Sequence, residues 1–180
     1  MRHLLGVIAA CAIVLWAATP AHAWSISADV PYASSVTFKG TNSGDLNFAA
    51  SSLGGNIVSI GTPWWVGVTL ENYATHLRDV PADMGQKIDL ELTTTMNSVF
   101  LDLPTPLISV VLGYGQGTIE EKRLDAKWNA KQYFARLGLN ISASFEVHAG
   151  LNRGLATYDQ EGGTPDFEFE TMTAGLKFNF

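Results

Sequence analysis

The most constraining feature of the sequence is a strict alternation of apolar side chains with small or polar ones, which is clearest from Met172 to Phe180. Successive side chains of a β-strand point to opposite faces of the sheet, so this segment has one apolar and one polar face. The pattern therefore predicts a strand that contacts an apolar environment on one side only. The apolar row contains Met172, Ala174, Leu176, Phe178 and Phe180.

Five further segments show the same alternation, and in each we expect the apolar row to face outwards. Before residue 61 the pattern is weaker, and apolar residues at positions 36 and 38, 46 and 48, and 57 and 60 predict two more strands. The total is eight strands. The five expected outward rows are Trp64, Val66, Val68 and Leu70; Ile88, Leu90, Leu92, Thr94 and Met96; Ile108, Val110, Leu112 and Tyr114; Tyr133, Ala135, Leu137 and Leu139; and Phe145, Val147, Ala149 and Leu151.

The start of the chain has the composition of an export signal. Residues 1–3 include Arg2, residues 4–18 are apolar, and residues 21–23 form an A-x-A cleavage site. The apolar core is shorter than the roughly 20 residues that a transmembrane helix needs. We therefore expect residues 1–23 to be removed and the mature chain, residues 24–180, to begin at Trp24. One alternative stays open, because the residues up to Cys11 are similar to a lipoprotein processing site.

Size and charge restrict the remaining possibilities. Removing 23 of the 180 residues leaves 157, which is enough for one domain of eight strands at about 20 residues per strand and connection. Without Arg2, ten Lys and Arg residues face 17 Asp and Glu residues, a net charge of −7. Nucleic acid is therefore not an expected partner, since its phosphates require a basic surface.

The connections between the expected strands alternate in length. Short connections at one end and long charged ones at the other are typical of outer-membrane β-barrels, in which the turns are periplasmic and the loops extracellular. With eight strands, the C-terminus then lies on the periplasmic side. The short connections are residues 61–63, 102–106 and 140–144, and the long ones are residues 75–87, 119–127 and 157–166.

The last strand resembles the C-terminal strand of small Gram-negative outer-membrane β-barrels of the OmpA/OmpX type. In that family a final Phe, with apolar residues at every second position before it, is read by the β-barrel assembly machinery. The resemblance implies an all-β, transmembrane, antiparallel up-and-down barrel in the outer membrane, in contact with its lipids and lipopolysaccharide. It implies no cofactor and no metal. It also assigns the assembly signal to Leu176, Phe178 and Phe180.

The inward rows carry seven ionisable side chains that we expect to meet inside the barrel. An eight-stranded barrel is just wide enough for side chains to fill its interior, and buried charges are costly unless they are paired. We therefore expect a network that closes the lumen. The expected members are Glu71, Asp89, Glu91, Arg136, Glu146, His148 and Lys177.

These expectations favour a non-enzymatic barrel with a role in envelope integrity or surface interaction. A small passive channel or ligand-binding barrel is the first alternative. A lipid A-modifying enzyme is the second, because a His beside a carboxylate, such as His148 with Glu146, could activate a nucleophile. Outer-membrane lipid A deacylases use such a His with a Ser two residues later, whereas this chain has Gly150 there. The charged run from Glu120 to Lys127 could contact lipopolysaccharide phosphates, but we expect it to be a solvated loop.

Overall fold

The structure, a computed structural model, describes residues 23–39, 44–81, 87–158 and 166–180. The expected export signal up to residue 22, including Cys11, lies outside the described residues. The described parts of the chain contain strands, turns and bends but no helix. The strands are β1 (Ser25–Phe38), β2 (Leu46–Ala49), β3 (Ser52–Gly61), β4 (Val66–Pro81), β5 (Lys87–Pro104), β6 (Ile108–Glu121), β7 (Ala126–Ser142), β8 (Phe145–Tyr158) and β9 (Phe167–Asn179).

The strands form one closed antiparallel barrel. From β3 to β9 each strand pairs with the next, and β1 pairs with β9 along its whole length, from Ser25 opposite Asn179 to Phe38 opposite Phe167. Strands β2 and β3 pair with opposite ends of β1, so together they occupy a single position in the wall. The eight-stranded up-and-down barrel expected from the sequence is confirmed.

The wall is interrupted where β2 passes into β3. Residues 25–29 of β1 pair with β3 and residues 35–38 pair with β2, which leaves residues 30–34 facing residues 50–56 without a ladder. We call this region the seam. One backbone hydrogen bond crosses it, from the Ala50 amide to the Ser34 carbonyl at 2.8 Å. Gly55 at the seam has a φ of 131°, and a Cβ there would lie 2.4 Å from the Asn72 carbonyl oxygen, so the position requires glycine.

A belt of apolar side chains surrounds the barrel on its outer face. Its members are between 40% and 62% exposed, although each is large and apolar. Because such a continuous band would be unfavourable in water, it suits contact with lipid. Tyr32, Tyr114 and Tyr133 lie at one edge of the belt. The members are Ile26, Val30, Ile60, Val66, Val68, Leu70, Val99, Leu101, Leu103, Ile108, Leu112, Leu137, Leu139, Leu151, Met172, Leu176 and Phe178.

The expected orientation of β5 is wrong. Leu90, Leu92 and Met96 face inwards and are buried, whereas Asp89 and Glu91 face outwards. The reason is position along the strand, because this half of β5 extends past the apolar belt. Beyond the belt the outer face meets water and the apolar row turns to the interior.

The two ends of the barrel differ as expected. The turn end has connections of two to four residues, at 62–65, 105–107 and 143–144, and the loop end has connections of four to eight residues, at 39–45, 82–86, 122–125 and 159–166. The connection expected at residues 119–127 is shorter than the sequence indicated, since only residues 122–125 form the turn. Strands β6 and β7 continue pairing up to it, where Lys127 Nζ lies 2.6 Å from Glu120 Oε1. Ile119, Ala126 and Trp128 are buried on the inward face of this extension, and the ion pair lies on its outward face.

Candidate functional site

The lumen is the candidate functional site, and its loop-end half is mainly apolar, although Glu121 is buried there and accepts a hydrogen bond from the Leu124 amide at 2.6 Å. Trp128 and Phe167 meet there edge to face with their ring centroids 5.2 Å apart, and Phe38 contacts Phe167 at a tilt with the centroids 5.3 Å apart. Each fully buried large side chain contributes roughly 1.5–3 kcal/mol, so this cluster anchors the fold beyond the belt. The sequence did not predict it. The buried members are Val36, Leu77, Val80, Leu90, Leu92, Met96, Ile119, Ala126, Trp128, Ala130, Ala156, Phe167 and Phe169.

The turn-end half of the lumen contains six ionisable side chains, which we call the charge cluster. Lys177 Nζ lies 2.8 Å from Asp102 Oδ2 and 2.7 Å from Glu146 Oε2, so one ammonium group bridges two carboxylates. All three side chains are at most 13% exposed. The members of the charge cluster are Asp29, Asp102, Arg136, Glu146, His148 and Lys177.

His148 and Arg136 complete the charge cluster. His148 Nε2 lies 2.7 Å from Asp29 Oδ1, and Nδ1 lies 3.6 Å from Glu146 Oε1. Arg136 donates to Ser59 Oγ at 2.8 Å, and its guanidinium lies 3.8 Å from Asp29 Oδ2. Three carboxylates thus face Arg136, Lys177 and His148, and the cluster is electrically neutral when the imidazole is protonated.

Glu71 lies apart from the charge cluster, in a layer of neutral hydrogen-bond donors. Gln132 and Asn152 donate their side-chain amides to its two carboxylate oxygens, and Ser98 donates its hydroxyl at 3.4 Å. Glu71, Gln132 and Asn152 are each at most 2% exposed. This amide layer fills the lumen between the apolar cluster and the charge cluster.

The structure divides the seven expected lumen charges into two groups. Glu71, Arg136, Glu146, His148 and Lys177 are buried inside the barrel. Asp89 and Glu91 are on the outer face, which corrects the expectation for both. The expected assembly residues Leu176, Phe178 and Phe180 all face outwards and are at least half exposed.

Sequence reasoning missed two members of the charge cluster. Asp29 lies in a part of β1 that was not recognised as strand, although it continues an inward row with Ser25 and Ser27. The sequence pattern predicts a turn at Asp102, but the residue follows Ser98 and Phe100 on the inward face of β5. In both cases the residue lies two positions after a small or buried residue of the same strand, and this spacing indicates that the two side chains face the same side.

Among the described residues, two of the cavities in the lumen share no lining residue. One, of about 10 Å³, lies beside the charge cluster and is also lined by Ser25, Ser27 and Phe100. The other, also of about 10 Å³, lies at the loop end between Tyr73 and Phe169. Because the amide layer lies between them, these two spaces do not form one continuous pore.

The geometry around His148 does not resemble a nucleophile-activating site. Both ring nitrogens face carboxylates, those of Asp29 and Glu146, so neither is directed at a hydroxyl group. Gly150, at the position where the deacylases carry Ser, would place a Cβ against Thr173 and Arg136. A Ser side chain at this position would therefore clash with its neighbours inside the barrel.

Other kinds of site are not found in the described residues. They contain no group of three or more His, Cys, Asp or Glu side chains that could hold a metal ion. None of the described segments forms a helix long and apolar enough to span a membrane.

At the loop end, hydrogen bonds to Asp45 and Glu168 raise the pKa of Lys39 above its usual value of 10.5.

Comparisons with known proteins agree with the fold. No protein-family model matches the sequence, and no curated protein matches it. The attachment invasion locus protein Ail of Yersinia pestis, in complex with the heparin analogue sucrose octasulfate, matches with a TM-score of 0.51 and 16% identity. That match covers 88% of this chain and 99% of that chain.

Two further structures match at lower scores. Neisserial surface protein A has a TM-score of 0.49 and 12% identity, covering 87% of this chain and 97% of that chain. OprG of Pseudomonas aeruginosa has a TM-score of 0.47 and 8% identity, covering 90% and 98%. At such identities the similarity concerns the fold alone. The chain has the closed eight-stranded barrel fold of small outer-membrane proteins.

Proposed function

We propose that this chain is a non-enzymatic integral outer-membrane barrel with a closed lumen, which acts in envelope integrity or in interactions at the cell surface. The observation that carries the proposal is the filling of the lumen by successive layers of side chains. The apolar cluster, the amide layer, a smaller apolar cluster and the charge cluster follow one another along the axis, and the cavities beside the first and the last of them are separate. The smaller apolar cluster consists of Phe100, Val111 and Phe134. A barrel filled in this way is a rigid scaffold that presents its loops.

The orientation follows from the connections. In outer-membrane barrels the short turns face the periplasm and the longer loops face the outside. The turn end, with the charge cluster and Phe180, is then periplasmic. The loop end, with the apolar cluster, projects beyond the outer leaflet, where a polar outer face and an apolar interior are both favourable.

The absence of an enzymatic role is supported by the engagement of His148 on both sides. An imidazole whose two nitrogens face Asp29 and Glu146 has no nitrogen left for a substrate or nucleophile. A structural role in neutralising the carboxylates accounts for the same contacts. Lipid A from cells with and without the protein should therefore have the same mass, and deacylation that depends on His148 would contradict the proposal.

Planar-bilayer recording tests the closed lumen. The purified, folded protein should show little steady conductance, because the amide layer separates the two cavities. Large and stable single-channel currents from the wild-type protein would contradict the proposal and favour the passive channel. Gel mobility serves as the control for folding. Conductance that appears only after heating, in samples whose gels show unfolded protein, would come from the unfolded protein and would not count as channel activity.

A further inference from the structure

The outer face of the barrel changes character at the loop-end edge of the apolar belt. On each strand from β4 to β9, the first outward residue beyond the belt is polar, and we call this set the interfacial ring. Only two of the six residues are cationic, and they lie on the neighbouring strands β7 and β8. The interfacial ring contains Asn72, Asn97, Gln116, Lys131, Arg153 and Glu170.

The register brings the two cations together. Lys131 lies opposite Leu155 and Tyr133 lies opposite Arg153, so Lys131 and Arg153 are diagonal neighbours on one face. Such neighbours have Cα atoms about 7–8 Å apart, within the reach of two long side chains directed at one group. The geometry therefore places an ammonium and a guanidinium side by side on the outer wall.

Neither cation is neutralised by a close ion pair in the described residues. Arg153 is 71% exposed, and its one ion pair among the described residues is a long one, 3.6 Å to Glu168, which also pairs with Lys39 at 3.1 Å. Glu170 lies directly opposite Arg153 on β9 but forms no ion pair with it. Lys131 has no ion pair among the described residues. Lys127, by contrast, is paired with Glu120 at 2.6 Å.

Two tyrosines fix the height of these cations relative to lipid. Tyr133, directly opposite Arg153, is 71% exposed, and its ring lies 5.2 Å from that of Tyr114 on β6. Exposed tyrosines at the edge of an apolar belt mark the level of the lipid headgroups. Lys131 and Arg153 therefore lie at the headgroup level and above the hydrocarbon.

We propose that Lys131 and Arg153 bind a phosphate group of lipid A on the outer face of β7 and β8. This inference rests on the proposed position in the outer membrane, where lipid A is the phosphorylated lipid of the outer leaflet. The guanidinium can donate two parallel hydrogen bonds to a phosphate, while the ammonium adds a point charge. Apolar contacts from Leu137 and Leu151 below would receive the acyl chains.

The neighbouring strands limit this site to one phosphate. Glu170 lies directly opposite Arg153, Glu168 pairs with it, and Glu120 pairs with Lys127 on the same outer face. These carboxylates border the cations on both sides, so an anion can be held only in the space between Lys131 and Arg153. The cations of the charged sequence run are less suitable, since Lys127 is paired and Lys122 and Arg123 lie in the turn beyond the wall. The site is thus on the wall and not in the loop.

Binding of purified lipid A to the folded protein in detergent, followed by native mass spectrometry, tests the proposal. The double variant Lys131→Gln/Arg153→Gln should bind about tenfold more weakly, because two charge-assisted contacts to phosphate are lost. The matched control Lys122→Gln/Arg123→Gln changes the net charge equally and should change the affinity less than twofold. Lipid A from which the phosphates have been removed should bind both variants and the wild type alike.

Three results would overturn the proposal. The first is an unchanged affinity of Lys131→Gln/Arg153→Gln for lipid A. The second is a loss of affinity in Lys122→Gln/Arg123→Gln as large as that in the wall variant. The third is that the wall variant loses as much affinity for phosphate-free lipid A as for lipid A itself. Heat-modifiable gel mobility establishes that each variant is folded, and the single variants Lys131→Gln and Arg153→Gln replace the double variant if it is not. Since the assay uses purified components, a failure of binding is distinct from a failure of the proposed function, which recording in bilayers tests separately.

Discussion

Replacing Lys177 by Met should destabilise the barrel strongly. The side chain is 8% exposed and bridges Asp102 and Glu146, so its loss leaves Asp102 without a cation and Glu146 with only the more distant His148, 3.6 Å away. Removing one partner of a buried ion pair costs roughly 3–5 kcal/mol. The adjacent cavity can admit water to the orphaned carboxylates, so we expect a value near the lower end, about 3 kcal/mol.

Urea unfolding in lipid vesicles measures this effect, with tryptophan fluorescence and gel mobility as independent probes. The control is Lys127→Met, which removes a cation from an exposed pair and should leave the unfolding midpoint almost unchanged. A second control adds Asp102→Asn and Glu146→Gln to Lys177→Met, which removes the orphaned charges and should restore most of the lost stability.

Two outcomes would refute the reasoning. If Lys177→Met unfolds at the same urea concentration as Lys127→Met, the bridge contributes nothing and the charge cluster is not a structural plug. If the triple variant is less stable than Lys177→Met alone, the loss arises from packing and not from unpaired charge.

Further predictions concern processing, assembly, lipid contact and conductance. Mass analysis of the outer-membrane fraction should find Trp24 at the N-terminus, and an acylated cysteine there would contradict this. Deleting Phe180 should slow or block membrane insertion, and normal levels of heat-modifiable protein would contradict its role as an assembly signal. Leu137→Arg on the apolar belt should cost roughly 2–4 kcal/mol on urea unfolding, whereas Thr93→Arg beyond the belt should cost much less. Arg136→Ala should raise bilayer conductance, because unpaired carboxylates recruit water, and unchanged currents would argue against the plug.

Much of the wall could be predicted because lipid on one side enforces a strict period of two. The faces of β6, β7 and β8 follow directly from rows such as Tyr133 to Leu139, and the buried positions of Arg136, Glu146 and His148 follow with them. The physical requirement is simple there, since every outward residue meets hydrocarbon and every inward residue meets the lumen.

The remaining features depend on where the lipid ends, which alternation alone does not reveal. Leu90 and Leu92 alternate as clearly as Leu137 and Leu139, yet they face the other way because β5 extends past the belt. The second half of the same strand indicates the correct orientation, since Val99, Leu101 and Leu103 are at odd positions and face outwards, whereas Leu90 and Leu92 are at even positions. The apolar cluster was missed for the same reason, as it exists only where the outer face is wet.

The seam is the place where we expect the barrel wall to open first. Residues 57–61 of β3 have ladder partners on both sides, whereas residues 52–56 of the same strand have them only on β4. Backbone amides directed from residues 52–56 towards β1 are therefore expected to exchange with deuterium earlier than their neighbours on residues 57–61. During breathing of the folded protein, separation would begin between β1 and β3, much as a cylinder with one incomplete joint opens along that joint.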